Sequence, residues 1–434
     1  MNPPPVSGFS GLGIAPAYLA ALTRLKITVP TPIQTQAIPV ALTGKDVAGI
    51  AQTGTGKTIA YGIPMLQRLA EVNGLGLVVL PTRELALQVD EALRQVGQVQ
   101  GLRTAVIIGG AGMGQQIEAI RRGPQVVVAT PGRLNDHLQQ RTIRLDGVKI
   151  VVLDEADRML DMGFAPQIER IFQTLPRDRQ TLLFSATMPD GIMRLASAYM
   201  KTPVRVEVAP AGTAAAGVTQ EIFVLPREAR NRLMDKLLQQ YAGTTLIFSR
   251  TKHGAKRLVQ VIRNMGHTAA ELHANRSMAQ RREALDGFKA GKYRVLVATD
   301  IASRGIDVTG IGLVLNYDLP DNPGDYVHRI GRTARAGAGG HAISFVAPEQ
   351  RGEVRHIERL IRKSLAVSPV PHDLPPERRA PPREAPYRDP RARPPQPGPA
   401  HRGGPGFARG GPGHQHGGGA SQGGGRDQRR WSRR

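Results

Sequence analysis

Two series of short apolar runs, separated by longer amphipathic stretches, set the pattern of residues 1–367. The first is LGLVVL (75–80), TAVIIG (104–109), VVVAT (126–130), KIVVLD (149–154) and TLLFSA (181–186). The second is EIFVL (221–225), TTLIFS (244–249), YRVLVA (293–298), IGLVLNYD (311–318) and AISFVA (342–347). Their continuous, β-branched character fits strands buried on both faces, as in parallel sheets. Between them lie segments such as ELALQVDEALRQVGQ, with apolar residues at helical spacing. Strands alternating with crossover helices predict two α/β domains, each with an open parallel sheet. The small, uncharged segment APAGTAAAGV (209–218) divides them, giving a first domain over 1–208, a linker over 209–217 and a second domain over 218–367. About ten flexible residues span roughly 16–19 Å, so the domains stay neighbours without being locked together.

Nearly every run is followed at once by a polar cluster: PTREL, TPGR, DEAD and SAT in the first half, SRTK and TDIASRG in the second. Open α/β sheets bind ligands at the carboxyl ends of their strands. Each domain is therefore expected to carry one working surface, with the active site in the cleft between them.

The pattern stops near Ser368, where a Pro-rich and then Gly-rich segment runs to the final RDQRRWSRR. It offers no repeating apolar face to offset the entropy of ordering, so 368–434 is expected to be a disordered basic tail. Its charges are almost all Arg, suited to phosphate contact and base stacking, although a purely solubilising role fits the same composition. Over the whole chain 58 Lys and Arg face 35 Asp and Glu, a formal +23 that points to a polyanionic partner. With no cysteine, a disulfide framework, a thiolate zinc site and a cysteine nucleophile are excluded. The start, MNPPPVSGFSG, has no basic segment followed by an apolar one, and no apolar run approaches the ~20 residues of a membrane span. A soluble, cytoplasmic protein is expected.

AQTGTGKT (51–58) is the most specific local signal. Its GTGKT half supplies backbone N–H groups for phosphate oxygens, Lys57 reaches the β and γ phosphates, and the Thr58 hydroxyl is offered to Mg²⁺. Ala51 stands where the general phosphate-loop pattern has its first Gly. DEAD (154–157) follows the strand KIVVL, which puts Asp154 at the strand end to hold Mg²⁺ through water and Glu155 beside it as the base for the attacking water. Three carboxylates in four residues also describe a solvated turn. The phosphate loop about a hundred residues upstream is what favours the catalytic reading.

With these motifs in order, the chain resembles the DEAD-box RNA helicases of superfamily 2 over roughly residues 9–366. The series is Phe9 and PTPIQ (30–34), AQTGTGKT, PTRELA (81–86), Gly109-Gly110, TPGR (130–133), DEAD, SAT (185–187), LIFSRTK (246–252), TDIASRGID (299–307) and HRIGRTAR (328–335). The short core and basic tail are most similar to bacterial RhlE-type members. The resemblance implies tandem RecA-like domains and assigns roles residue by residue. Gln34 is the adenine reader and Phe9 helps close the base pocket. Gln52, Thr53, Gly54, Thr55, Gly56, Lys57 and Thr58 hold ATP, and Asp307 holds the ribose. Arg332 and Arg335 are the arginine fingers, with Glu155 and Lys57 completing the catalytic set. Asp157, Ser185, Thr187 and His328 couple the nucleotide to the RNA surface. Arg83, Gly110, Thr130 and Arg133 in the first domain, with Arg281 and Thr299 in the second, contact RNA through backbone, hydroxyl and guanidinium groups, so binding is expected to be sequence-independent and salt-sensitive.

Four positions depart from the family pattern: Ile27 replaces the aromatic that stacks on adenine, Ala274 a Gly, Met278 a Gln, and Ala334 the Gly between the two fingers. Without that Gln a polar group toward RNA is missing unless Gln280 substitutes. None removes a catalytic group. The expected activity is ATP-dependent local separation of short RNA duplexes, with RNA-stimulated hydrolysis and ATP and Mg²⁺ as cofactors. RNA is the expected partner, ribosome assembly and RNA decay are compatible settings, and no membrane is involved. Two rivals remain at this level: an RNA annealer driven by the Arg/Gly tail, and a processive DNA translocase.

Overall fold

The protein is described here as a computed structural model covering residues 8–52, 54–208, 218–300, 311–333 and 339–376. The expected linker over 209–217, Thr53, Asp307, Ala334, Arg335 and the chain from 377 onward lie outside the described residues.

The first lobe is built on a seven-stranded sheet. Its strands are β1 (Val47–Ile50), β2 (Leu75–Val79), β3 (Thr104–Ile107), β4 (Val126–Ala129), β5 (Val148–Asp154), β6 (Gln180–Ser185) and β7 (Val204–Glu207), in spatial order β3-β4-β2-β5-β6-β1-β7. The second lobe repeats the plan with β8 (Val218–Val224), β9 (Thr245–Phe248), β10 (Ala269–Leu272), β11 (Val295–Ala298), β12 (Leu313–Asn316), β13 (Gly340–Val346) and β14 (Ala366–Ser368), ordered β10-β11-β9-β12-β13-β8-β14. Every pairing between these strands is parallel. Two RecA-like α/β domains in tandem are therefore what the chain forms. Alternate residues feed opposite apolar layers, as a strand's two-residue period requires. Val78, Val128, Val152 and Phe184 join one layer, and Leu77, Val79, Val151 and Leu183 join the other.

Four strands, β1, β7, β10 and β14, fall outside the apolar runs. β1 is a short interior strand, buried along its four residues, and the other three are sheet edges. An edge strand buries less of itself, so its sequence carries less apolar signal: β7 reads Val-Arg-Val-Glu with two exposed charges, and Val367 of β14 is 65% exposed.

Ser368, the first residue of the expected tail, lies within β14, and the described chain continues to 376. The Arg232 guanidinium, on the helix Arg230–Gln240, donates to the carbonyls of Leu374 (2.8 Å) and Pro375 (2.7 Å), and Lys236 pairs with Asp373. Val370 and Leu374 pack on the second lobe's core. Two apolar residues in a Pro-rich stretch, met by two basic side chains on one helix, hold this segment down.

Because all strands run parallel, the polar clusters that follow them gather at one edge of each sheet. Among the described residues no helix is long and apolar enough to cross a membrane.

Candidate functional site

The phosphate loop leaves β1 and turns through Gly54 and Gly56 (φ 85° and 83°) into the helix Lys57–Val72. Gly56 is a steric requirement, since a Cβ there would come within 2.3 Å of Gln34 Nε2. The buried Gln34 amide accepts from the Thr31 N–H (2.9 Å) and donates to the Gly56 carbonyl (3.0 Å), joining the helix Pro32–Leu42 to the loop. Each amide atom keeps further hydrogen-bonding capacity for a base edge. Lys57 Nζ donates to the Ala51 carbonyl (3.0 Å), the Thr55 hydroxyl donates to the Gln52 carbonyl (2.7 Å), and Thr58 follows in the helix's first turn. Phe9 is buried in the first lobe's apolar core, and Ile27 packs against that core.

β5 ends in Asp154, buried beside the loop. Its Oδ2 accepts from the Tyr61 hydroxyl (3.0 Å) and its Oδ1 from the Glu155 N–H (2.8 Å). Burial pushes its carboxyl up to about 6, with the neighbouring Glu155 adding to the rise and Lys57 opposing it. Glu155 sits at φ 53°, in the left-handed region, and its Oε2 is 3.2 Å from Arg158 Nη1. A non-glycine residue held there costs of order 1–3 kcal/mol and is maintained where a site over-determines it.

Asp157 joins this strand end to the next. Its Oδ2 accepts from the N–H groups of Ala186 (3.2 Å) and Thr187 (2.9 Å) and from the Thr187 hydroxyl (2.9 Å), while its own N–H donates to Ser185 Oγ (3.2 Å). The DEAD and SAT segments are thus one hydrogen-bonded unit. Ser185 also ties back to the phosphate loop, its carbonyl accepting from the Ala51 N–H (2.9 Å).

From the second lobe, the helix Pro323–Ile330 brings His328 and Arg329, with Arg332 just beyond it. Arg332 is buried, and its Nε donates to the His328 carbonyl (3.3 Å). With Asp300, Asp325 and Phe248, these residues face Arg158 of the first lobe across a small cleft. Arg329 is fixed by a bidentate pair with Asp300 (2.5 and 2.7 Å). Thr53, Asp307 and Arg335 lie outside the described residues.

A larger groove runs over both lobes and is lined by Arg83, Thr130, Arg133, Phe164, Ala274 and Arg281, among others. Gly110 (φ 78°) lies under Arg83, and a Cβ at this glycine would strike the guanidinium at 2.2 Å. Arg133 turns inward, donating to the carbonyls of Ile108 (3.2 Å) and Ala111 (3.0 Å), so it shapes the Gly109-Gly110 turn. Thr299 follows β11, its N–H bonded to the Leu272 carbonyl (3.2 Å). Arg281 pairs across the lobes with Glu84 (2.9 Å), both partners buried. Burial pushes the Glu84 carboxyl up and the Arg281 guanidinium down, each opposed by the other. Gln280 Oε1 is engaged in a capping box, accepting from the Ser277 N–H (3.1 Å), which leaves its Nε2 as the group to replace the Gln lost at Met278.

Three residues of this arrangement lie outside the candidate set read from the motifs. Tyr61 stands one helical turn after Lys57, Arg158 three residues after Glu155, and Glu84 inside PTREL. The spacing i, i+3 or i, i+4 from a motif residue is the signal that points to the first two, whereas Glu84 is itself a residue of the motif.

Breaking a desolvated pair on one side strands a charge, whereas reversing both preserves the attraction. Glu84→Arg and Arg281→Glu singly are each expected to lower RNA-stimulated ATP turnover about tenfold or more, and the double reversal to recover most of it. Additive losses in that double-mutant cycle would show that the pair does not bridge the working state.

The DEAD/DEAH box helicase family model matches residues 31–195 and the helicase conserved C-terminal domain model matches 228–337. The chain is 43% identical over 360 residues to the DEAD-box ATP-dependent RNA helicase CshA of Geobacillus kaustophilus, covering 82% of this chain and 77% of that protein. It is 42% identical over 367 residues to the ATP-dependent rRNA helicase RRP3 of Debaryomyces hansenii, covering 84% and 77%. Among solved structures, S. cerevisiae Dbp5 bound to RNA and ADP BeF3 superposes with a TM-score of 0.76 at 30% identity, covering 84% of this chain and 96% of that one.

Proposed function

The chain belongs to the DEAD-box family of ATP-dependent RNA helicases, and from that premise we propose how its own residues divide the work. It is an RNA-dependent ATPase that separates short RNA duplexes locally and remodels RNA. ATP is held by the phosphate loop from Gln52 to Thr58, with Gln34 reading adenine. Glu155 takes the proton of the attacking water, and Arg158 holds its carboxylate in place. Arg332, with Arg335, stabilises charge developing on the transferred phosphoryl group, and does so only when the lobes are closed. Asp157, Ser185, Thr187 and His328 carry the nucleotide state to the groove, where Arg83, Gly110, Thr130 and Thr299 take RNA phosphate and sugar. Arg133 and Arg281 act there by holding the Gly109-Gly110 turn and the interlobe pair. A closed groove that accepts a bent single strand excludes a duplex, so binding itself disrupts a few base pairs.

The residues present fit a Mg²⁺ ion, which favours one or two carboxylates plus phosphates. Asp154 is a buried carboxylate at the end of β5, and the Thr58 hydroxyl is carried by the first turn of the helix that follows the phosphate loop. When bound, the ion neutralises charge on the phosphates. The Tyr61 hydroxyl keeps Asp154 anionic and oriented, so Tyr61→Phe is expected to raise the Asp154 value further. Because Asp154 must be ionised to receive the cation, ATP affinity in that variant should fall several-fold, more at pH 6 than at pH 8. A loss equal at both pH values, read by nucleotide titration, would remove Tyr61 from this role.

A first domain over 1–208, a second that begins at 218 and runs past 367 to take in β14 and the segment packed behind it, the RhlE-type lineage, a cytoplasmic setting and a role in ribosome assembly or RNA decay belong to the same proposal. They rest on the short core, the Arg-rich tail and the motif order. The hydrogen-bonded unit joining Asp157 to Ser185 and Thr187 carries the reading, since it links the hydrolytic strand end to a second motif. The test is ATP turnover with and without single-stranded RNA: strong stimulation is expected, and turnover indifferent to RNA would overturn it. Equal stimulation by single-stranded DNA would revive the translocase.

A further inference from the structure

At the opposite edge of the first lobe's sheet from the motifs lies a concave cleft that the mechanism does not use. Its walls come from the segments entering β1, β5, β6 and β7 and from the last turn of the helix Lys57–Val72. That helix has 16 residues, so the cleft lies about 24 Å from the phosphate loop at its other end.

Five cations line this cleft: Lys45, Arg68, Lys149, Arg179 and Lys201. Their only acidic companions there are Asp46 and Asp178. Asp46 is turned inward, accepting from the backbone N–H groups of Thr181 (2.7 Å) and Lys201 (2.6 Å), and its charge offsets in part that of Arg179. Asp178 is 94% exposed and stands 3.9 Å from Lys149 and 3.7 Å from Lys201, the nearest ion pairs of any of the five cations among the described residues. The guanidiniums of Arg68 and Arg179 donate only to carbonyls, and the Nε of each is buried with no hydrogen-bond partner. The placement is built: a Cβ at residue 74 would meet the Lys149 stem at 2.3 Å, and one at residue 44 the Arg68 guanidinium at 2.9 Å. Like charges gathered in a concavity with so little compensation focus a positive potential.

We propose that this cleft is a second RNA site, taking phosphodiester groups of the strand beyond the segment held between the lobes. Lysine ammoniums are point-charge phosphate binders. The cleft lacks the aromatic anchors on which protein interfaces depend, which sets a phosphate backbone above an acidic protein partner. The proposal rests on the RNA-helicase reading, and a short-RNA arm in the experiment reads that activity separately.

The experiment uses the full chain with Lys45, Lys149 and Lys201 all changed to Glu, and a second variant with all three changed to Gln in case charge reversal disturbs folding. RNA affinity is measured across a salt series with strands of about six and about forty nucleotides. At about 3.4 Å per nucleotide the short strand spans roughly 20 Å, less than the depth of the lobe, while the long one reaches far past it. Both variants are expected to bind the short strand, and hydrolyse ATP on it, as the parent does. On the long strand affinity should fall about tenfold, and the salt slope by about two for three phosphates lost. An unchanged long-strand affinity and slope would overturn the proposal, as would an equal loss on both lengths. With the phosphate loop saturated by ADP, inorganic pyrophosphate that binds the parent but not the variants, with RNA affinities unmoved, would mark a small-anion site and overturn the RNA assignment.

Discussion

Glu155→Gln is expected to lower RNA-stimulated ATP turnover by about 10²–10⁴-fold, the usual contribution of a positioned general base, while leaving ATP and RNA bound. The substitution keeps the shape of the side chain and one acceptor oxygen for Arg158, whose Nη1 lies 3.2 Å from Glu155 Oε2. What it removes is the carboxylate proposed to take a proton. Asp154, Lys57 and the Asp157 network keep their contacts, so the groups proposed to hold nucleotide and to join it to the SAT segment remain. The variant should therefore accumulate as a stalled complex, seen as RNA retained with ATP on a gel or filter. Turnover at the parent rate would remove Glu155 from the base role, and failure to retain RNA would show that it serves binding.

Arg332→Ala should cost still more, about 10³–10⁵ in turnover. The residue comes from the second lobe but faces Arg158 of the first, one side chain removed from Glu155. Its contribution exists only when the lobes meet, so ATP affinity of the RNA-free protein should change little. Arg332→Lys keeps the charge but loses the planar fork and should recover only a small part of the rate. A loss of ATP affinity matching the loss of rate would place Arg332 in ground-state binding instead.

The strands buried on both faces announce themselves, because a central parallel strand must be apolar throughout; KIVVLD forms β5 with its acidic cluster at the expected end. Three of the four edges do not: β3 lies within the run TAVIIG, but VRVE of β7, AAEL of β10 and AVS of β14 carry little signal, and only pairing with their neighbours defines them. The candidate site is legible wherever a motif is contiguous, as in 51–58 and 154–157. It is not legible where a side chain acts through space. Nothing in the sequence joins Tyr61 to Asp154 or Glu84 to Arg281, 93 and 197 positions apart (281 − 84 for the latter), until the helices are placed. Arg133 shows another side of this: a motif residue that lines the groove also donates to the carbonyls of Ile108 and Ala111, partners its position in TPGR does not announce.

The central claim is that nucleotide and RNA are coupled because each is completed by the second lobe. Linkage makes that coupling measurable in binding alone. The decisive measurement is RNA affinity with and without a non-hydrolysable ATP analogue, in the parent and in Arg332→Ala. The account predicts that the analogue tightens RNA binding by about 5–150-fold in the parent, the usual span of such coupling, and much less in the variant. RNA affinity indifferent to the analogue in the parent would contradict it.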